Sequence, residues 1–306
     1  MNKPHIAISI GDPNGIGLQI ILESHEHICK LCNPVYCIDA TILNQASKLL
    51  NIKIPKNINL FGNYSSCNIQ PGKISKKAGQ VSYESFLQAI ELTKKGNTQG
   101  VVTLPIHKNA WKKAGISYVG HTDMLRDIFK QDAIMMLGCE KMYVALYTEH
   151  IPLDQVASKI KTKKLEIFFE SFFRSIHNYK DPIAVLGLNP HNGDNGVLGN
   201  DDIKIQKAID KTNKKLKSNF ELVVPDVAFT PHVRSKYKYY VAMYHDQGLG
   251  PLKALYFDES INVSLNLPII RTSVDHGTAF DIAYTHKVVS NLSYLNAVNA
   301  ILTLQQ

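Results

Sequence analysis

His5-Ile6-Ala7-Ile8-Ser9-Ile10-Gly11-Asp12-Pro13-Asn14-Gly15-Ile16-Gly17, continuing to Ile28, decides the fold class. A short apolar run ends in a turn of Gly, Asp, Pro and Asn, and apolar residues then recur at helical spacing. That order predicts a buried strand over 5–10 feeding a helix over 15–28. The same alternation continues along the chain. Strands are predicted at 35–39, 100–104, 142–147, 183–188, 223–228 and 241–244, and helices at 82–95, 124–130, 164–177 and 294–304. Strands alternating with helices define an α/β architecture with a largely parallel core sheet. Residues 51–77, rich in Asn, Ser, Lys and Gly, read as a surface excursion. The 306 residues form one catalytic unit of two α/β lobes, with no repeat or linker to mark where the lobes divide.

Composition narrows the function classes. With 44% hydrophobic and 20% charged residues, the chain carries enough apolar surface for a packed core, which excludes disorder. No apolar run reaches the roughly 18–20 residues of a membrane span, and the first residues carry no secretion signal, so a cytoplasmic location is expected. The net charge of +8 is concentrated in lysine-rich, solvated helical stretches at 159–164 and 204–217. Neither is interleaved with aromatics, which argues against nucleic acid and leaves a small anionic substrate as the fitting partner. Five cysteines are an odd number without a disulfide framework. Cys29 and Cys32, with His25 on the same helical face, admit a zinc knuckle, but no second pair follows, and packing near a helix end is preferred.

Three histidines stand in turn-like settings beside carboxylates: Glu149-His150-Ile151-Pro152, Asn189-Pro190-His191-Asn192-Gly193-Asp194 and Tyr244-His245-Asp246-Gln247-Gly248. They are separated by 41 and 54 residues, far from any zinc-finger spacing, so a site made of them is assembled by the fold and is catalytic rather than structural. Three imidazoles leave coordination positions open for substrate oxygens. Each histidine alone is more often a hydrogen-bonded structural residue; the three similar settings shift the balance. Two glycine-flanked turns are less decisive. Gly11 to Gly17 admits either an anion at a helix N-terminus or packing, and Gly120-His121-Thr122-Asp123 admits either a ligand-facing His121 or a helix capped by Thr122. Lys253, Asn262 and Arg271, followed by Asp275-His276-Gly277, supply groups suited to a phosphate or carboxylate.

Together, residues 11–17, 120–123, 187–194, 244–249 and 268–281 resemble, in order and over most of the chain, the 4-hydroxythreonine-4-phosphate dehydrogenase family of pyridoxal phosphate biosynthesis. The resemblance implies a two-lobed fold like that of the isocitrate and isopropylmalate dehydrogenases, with a cleft between the lobes, in a homodimer. It implies metal- and NAD(P)-dependent oxidation of 4-phosphooxy-L-threonine at C3, then decarboxylation to 3-amino-2-oxopropyl phosphate. By motif, the metal ligands fall on His150, His191 and His245, the last supplied by the partner subunit. Substrate contacts fall on His121, Thr122, Lys253, Asn262 and Arg271. Asn192, Gly193, Asp275, His276 and Gly277 are candidate NAD or NADP contacts, and Asp246 and Lys253 candidate catalytic groups. Zinc, cobalt or nickel suits the imidazoles better than magnesium.

The chain departs from the family pattern at several points. Asp123 and Asp194 stand where Glu is common, Leu104 replaces a glycine, Val274 a proline, and Gly250 an apolar residue. A sister dehydrogenase acting on a phosphorylated threonate or erythronate would use the same residues. A phosphate-transferring enzyme of related fold would have no use for the histidines, whereas a non-catalytic phosphate-binding module would show itself by weak metal binding and no NAD(P) reduction with any hydroxy acid phosphate.

Overall fold

A computed structural model describes residues 3–62 and 66–304. The chain divides into two compact units. One takes the chain up to residue 131, residues 261–263, and everything from 267 onward; the other takes 132–260 and 264–266.

The first unit begins with β1 (His5–Ser9), α1 (Gly17–Leu31), β2 (Asn33–Cys37), α2 (Ala40–Leu50), α3 (Lys76–Lys94), β3 (Val101–Thr103), α4 (Lys108–Lys113) and α5 (His121–Phe129). β1 lies between β2 and β3, parallel to both, with Ile8 opposite Tyr36 on one side and Val102 on the other. Every residue of β1 after His5 is buried, which explains why the strand reads as an unbroken apolar run. The side chain of Asp39 caps α2 by accepting from the Thr41 amide at 2.7 Å, and Ser75 caps α3 through the Ala78 amide at 3.1 Å. Phe86, Ile90, Trp111, Met124 and Leu125 pack together against Ala7, Val35 and Val101 of the strands. Trp111 satisfies its one polar atom by donating to Ser82 Oγ at 2.7 Å.

The second unit holds β4 (Ile134–Cys139), β5 (Met142–Leu146), α6 (Leu153–Lys159), α7 (Thr162–Ser175), β6 (Ile183–Leu186), a 3-10 turn (Pro190–Gly196), α8 (Asp201–Leu216), β7 (Phe220–Val223), α9 (Pro225–Ala228), α10 (Pro231–Arg234), β8 (Tyr239–Ala242) and α11 (His245–Tyr256). Its strands run in the order β4-β5-β8-β6-β7. β4 and β5 form an antiparallel pair, while β5, β8, β6 and β7 are parallel. The C-terminal ends of β5, β8 and β6 therefore open side by side on one edge, where parallel sheets place their functional loops. β9 (Ile261–Leu265), β10 (Arg271–Val274) and α12 (Leu292–Thr303) complete the chain. β10 lies parallel to β3 in the first unit, with Arg271 opposite Val101.

The expected α/β class with a mainly parallel sheet is what the chain forms. Three local expectations are corrected. Residues 223–228 are not a strand: β7 stops at Val223, and Pro225, without an amide donor but preset for a first helical turn, starts α9. Residues 159–164 are not one helical stretch, because Ile160 and Lys161 take extended conformations between α6 and α7. Thr122 does not cap α5. The helix starts at His121 rather than 124, with Gly120 at the cap position and no side-chain cap, and the Asp123 carboxylate instead accepts from the Val119 amide at 3.2 Å. Within the excursion at 51–77, residues 63–65 lie outside the described residues, and Leu60 bridges to Tyr36.

Candidate active site

All three histidines of the expected metal site lie in the second unit, on the loops that leave the C-terminal ends of β5, β8 and β6. Backbone pairing continues past the strands: the amides of Tyr147 and Thr148 donate to the carbonyls of Ala242 and Met243 at 2.9 and 3.3 Å, and Thr148 Oγ1 donates to Met243 O at 2.6 Å. This pairing carries the β5 and β8 loops along together and brings the rings of His150 and His245 to 5.5 Å between centroids. His245 Nδ1 lies 2.6 Å from Asp246 Oδ1. A carboxylate can only accept there, so Nδ1 carries a proton and Nε2 is the ring nitrogen that a metal ion would take. Asp246 itself is 87% exposed.

His191 occupies a turn of unusual backbone. Residues 191–195 all have positive φ, between 44° and 77°, a run that Asn, Gly and Asp tolerate far better than other residue types. The turn is clamped from below by Asp202, whose buried carboxylate accepts from the Leu188 amide at 2.7 Å, the Asn189 amide at 3.1 Å and Asn189 Nδ2 at 2.8 Å. Gly187 leaves no room for a side chain, because a Cβ there would lie 2.2 Å from Asn192 Oδ1. Gln247, which no sequence expectation covers, ties two of the loops together. Its Oε1 accepts from the Met243 amide at 2.7 Å and its Nε2 donates to Gly187 O at 2.6 Å. The signal available in the sequence was its place beside His245-Asp246. Among the described residues of one chain, no three His, Cys, Asp or Glu side chains are gathered as a metal cage. Lys253 lies on α11 with its ammonium 5.5 Å from the Phe257 ring centroid.

The first unit holds a cluster around a buried arginine. Arg271, at the start of β10, is buried and directs Nε and Nη2 to Thr103 Oγ1 at 3.0 and 2.6 Å. Nη2 also lies 3.0 Å from His121 Nδ1 at the head of α5. Burial pushes the guanidinium down to about 9, which still leaves it protonated at neutral pH. Burial first, and the Arg271 charge second, hold the His121 imidazole well below its usual range, so it is neutral. Its Nε2 is buried and has no partner. Thr122 follows it in the first turn of α5.

Asn192 Oδ1, Asn262 Oδ1 and His276 Nε2 are also buried without partners. Together with His121, four residues expected at the site from sequence therefore carry an orphaned polar atom, the condition a bound ligand relieves. Gly277 is exposed, and a Cβ on it would meet nothing within 4 Å, so local packing does not require glycine there. Gly193 is different: its φ of 77° and the Gly199 carbonyl, 2.6 Å from a Cβ position, make it a structural glycine. The Asp275 amide donates to Ser293 Oγ at 3.1 Å.

The glycine turn at 11–17 resolves toward packing. Cβ atoms at Gly11, Gly15 and Gly17 would meet the carbonyls of Pro105, Thr278 and Ile10 at 2.2, 2.8 and 2.6 Å. The Ile16 amide donates to Thr278 O at 3.1 Å, and the Tyr284 hydroxyl donates to Pro13 O at 2.7 Å. The turn thus supports the 276–284 loop. The Cys-x-x-Cys also resolves toward packing. Cys32 is buried just beyond the end of α1, its thiol pushed up to about 12 by burial, and Cys29 rests against His25.

A family model for the pyridoxal phosphate biosynthetic protein PdxA matches residues 30–301. The chain is 58% identical over 306 residues to a Sulfurimonas denitrificans protein, and 50% identical over 307 residues to one from Campylobacter fetus. Both relatives are named 4-hydroxythreonine-4-phosphate dehydrogenase, and in each case 99% of both chains is covered. The crystal structure of 4-hydroxythreonine-4-phosphate dehydrogenase from Klebsiella pneumoniae superposes with a TM-score of 0.85 at 31% identity, covering 99% of this chain and 98% of that one. No helix among the described residues is long and apolar enough to cross a membrane.

Proposed function

The chain belongs to the pyridoxal phosphate biosynthetic protein PdxA family, and on that premise we propose that it is an NAD(P)-dependent oxidoreductase acting on the C3 hydroxyl of 4-phosphooxy-L-threonine. Its product is 2-amino-3-oxo-4-phosphooxybutanoate, which loses carbon dioxide to leave 3-amino-2-oxopropyl phosphate. The observation that carries the reading is the buried, partnerless Nε2 of His121 beside the Arg271 guanidinium. Arg271 cannot give up its proton at neutral pH and His121 is a neutral N–H donor, a pairing that suits a phosphate better than any neutral group. The amides in the first turn of α5, including that of Thr122, add donors with no partner of their own within the helix. Asn262 Oδ1, a buried acceptor without a partner, would suit an N–H or O–H of the substrate. Lys253 is the remaining cation assigned to the substrate.

The residue types at 150, 191 and 245 fit a divalent cation: three imidazoles, one with its Nδ1 held by Asp246 so that Nε2 is the nitrogen left for the metal. When bound, such a cation supplies Lewis acidity toward the substrate's hydroxyl and amino groups, and NAD(P) supplies the two-electron acceptor. Zinc or cobalt matches imidazole better than magnesium does. Asp246 orients His245 and is exposed enough to take the hydroxyl proton onward to water. Asn192, Gly193, Asp275, His276 and Gly277 are assigned to the nicotinamide nucleotide, supported by the orphaned atoms on Asn192 and His276.

In this reading the protein is a homodimer in which each metal site uses His150 and His191 of one chain and His245 of the other. A mixed dimer tests the sharing. Pairing a His191→Ala chain with a His245→Ala chain leaves one intact shared site and about half the activity. If all three ligands came from one chain, the mixed dimer would be dead. The reaction itself is tested by NAD(P)H absorbance with the metal-loaded chain, offered 4-phosphooxy-L-threonine or its threonate analogue. Reduction with the threonate alone would move the assignment to the sister activity.

A further inference from the structure

We propose that Thr103 is a positioning residue: its hydroxyl holds the Arg271 guanidinium so that Arg271 fixes His121 as the Nε2–H tautomer, the donor form required for an anionic oxygen. The inference that this anion is the substrate phosphate rests on the function proposed above; the arrangement itself does not.

Thr103 is the last residue of β3 and is fully buried. In the parallel pairing of β3 with β10, Arg271 stands opposite Val101, so Thr103, two residues further on, projects from the same face as Arg271. The arginine side chain lies along that face and reaches Thr103 Oγ1 with Nε at 3.0 Å and Nη2 at 2.6 Å. A guanidinium has donors only, so the threonine hydroxyl is the acceptor of both. Two bonds to one oxygen set the plane of the guanidinium. The same Nη2 meets His121 Nδ1 at 3.0 Å, and that nitrogen must accept. The imidazole is kept neutral, so its single proton resides on Nε2, which is buried and partnerless. The rings of Phe86 and Trp111 stand edge-on to the imidazole at 4.6 and 5.7 Å between centroids, which limits its rotation. Thr103 therefore acts two residues removed from the ligand, through hydrogen-bond polarity: hydroxyl accepts, guanidinium donates, imidazole accepts at one nitrogen and donates at the other.

The test uses the full-length chain labelled with ¹⁵N-histidine, with the His121 signals identified by their loss in His121→Gln. The wild type is expected to show the His121 Nε2–H tautomer; an Nδ1–H tautomer in the wild type overturns the proposal without any variant. Thr103→Ser keeps the acceptor and is expected to preserve both the tautomer and the affinity for inorganic phosphate. Thr103→Val removes the acceptor at nearly constant volume. It is expected to weaken phosphate binding about tenfold, the scale of one charge-assisted hydrogen bond, and to lose the single tautomer. In turnover the same variant raises KM for the phosphorylated substrate more than it lowers kcat. Should Thr103→Val fail to fold, the wild-type tautomer and the Thr103→Ser result decide. Wild-type phosphate affinity and tautomer in folded Thr103→Val would refute the role. Phosphate binding and the tautomer as expected, but no NAD(P) reduction with either substrate, would refute the function proposed above and leave this inference standing.

Discussion

Replacing Asp12 with Asn should change how the first unit's stability depends on pH, by an amount that follows from burial. Asp12 is 1% exposed, in the turn that supports the 276–284 loop, and its Oδ1 accepts from the Asn14 amide at 3.0 Å while Oδ2 has no partner. Burial raises the carboxyl from the ordinary 3.8 to about 6, with the Asn14 bond pulling the other way. The ionisable groups that face it, Cys67 and Tyr284, are themselves pushed up by burial, Cys67 to about 11, and offer no positive charge. Because the folded chain binds this proton more tightly than the unfolded chain, the contribution is fully present below pH 3.8 and is lost as pH rises through about 6. At 1.36 kcal/mol per pH unit, the whole loss is about 3 kcal/mol.

Asp12→Asn keeps an acceptor for the Asn14 amide and carries no charge at any pH. The variant should therefore gain on the wild type by about 1.4 kcal/mol between pH 5 and pH 8, a tenfold change in the folding constant. Comparing the two pH values cancels any pH-independent cost of the new amide. The single tryptophan, Trp111, is buried in the core of the same unit, so urea unfolding followed by its fluorescence reports on the right part of the chain. A stability difference between variant and wild type that is equal at the two pH values would refute the reasoning. So would one that favours the wild type more at pH 8.

Three further outcomes follow from the loops. Asp246→Ala removes the acceptor that orients His245, and should weaken metal affinity about tenfold or more in competition with a chelator, while the circular dichroism spectrum is unchanged. Gln247→Leu leaves the Met243 amide and the Gly187 carbonyl without their side-chain partner, and should cost about 2 kcal/mol in chemical denaturation, with activity falling as the β6 and β8 loops separate. Gly277→Ala meets nothing within 4 Å, so stability should hold to within about 0.5 kcal/mol while KM for the nicotinamide nucleotide rises. An unchanged KM would remove Gly277 from the cofactor site.

Most of the fold was legible because parallel strands covered on both faces are written as short apolar runs, as in β1, and their helices as apolar residues at helical spacing. Elsewhere that code is silent. Val223 to Ala228 has a strand's composition, yet Pro225 sits inside it, and Phe220, Glu221 and Leu222 just upstream form the strand instead. The cap of α5 was misplaced because Thr122 and Asp123 are both capable acceptors and only the folded backbone chooses between them. Gln247 and Thr103 were passed over because their work is done on partners 60 and 168 residues away.

The amino-acid order by itself determined the α/β class and the residue types available for chemistry, because strand, helix and turn preferences are local and side-chain chemistry is intrinsic. It also marked His150, His191 and His245, through short motifs whose local composition is distinctive. Only the tertiary structure decided how these groups are held. It placed the three histidine loops on adjacent strand ends and tied two of them together through Gln247. It turned the 11–17 glycines into packing for a neighbouring loop. It also set the protonation states of Asp12 and His121, since burial and the polarity of a hydrogen-bond chain arise from contacts between segments far apart in sequence.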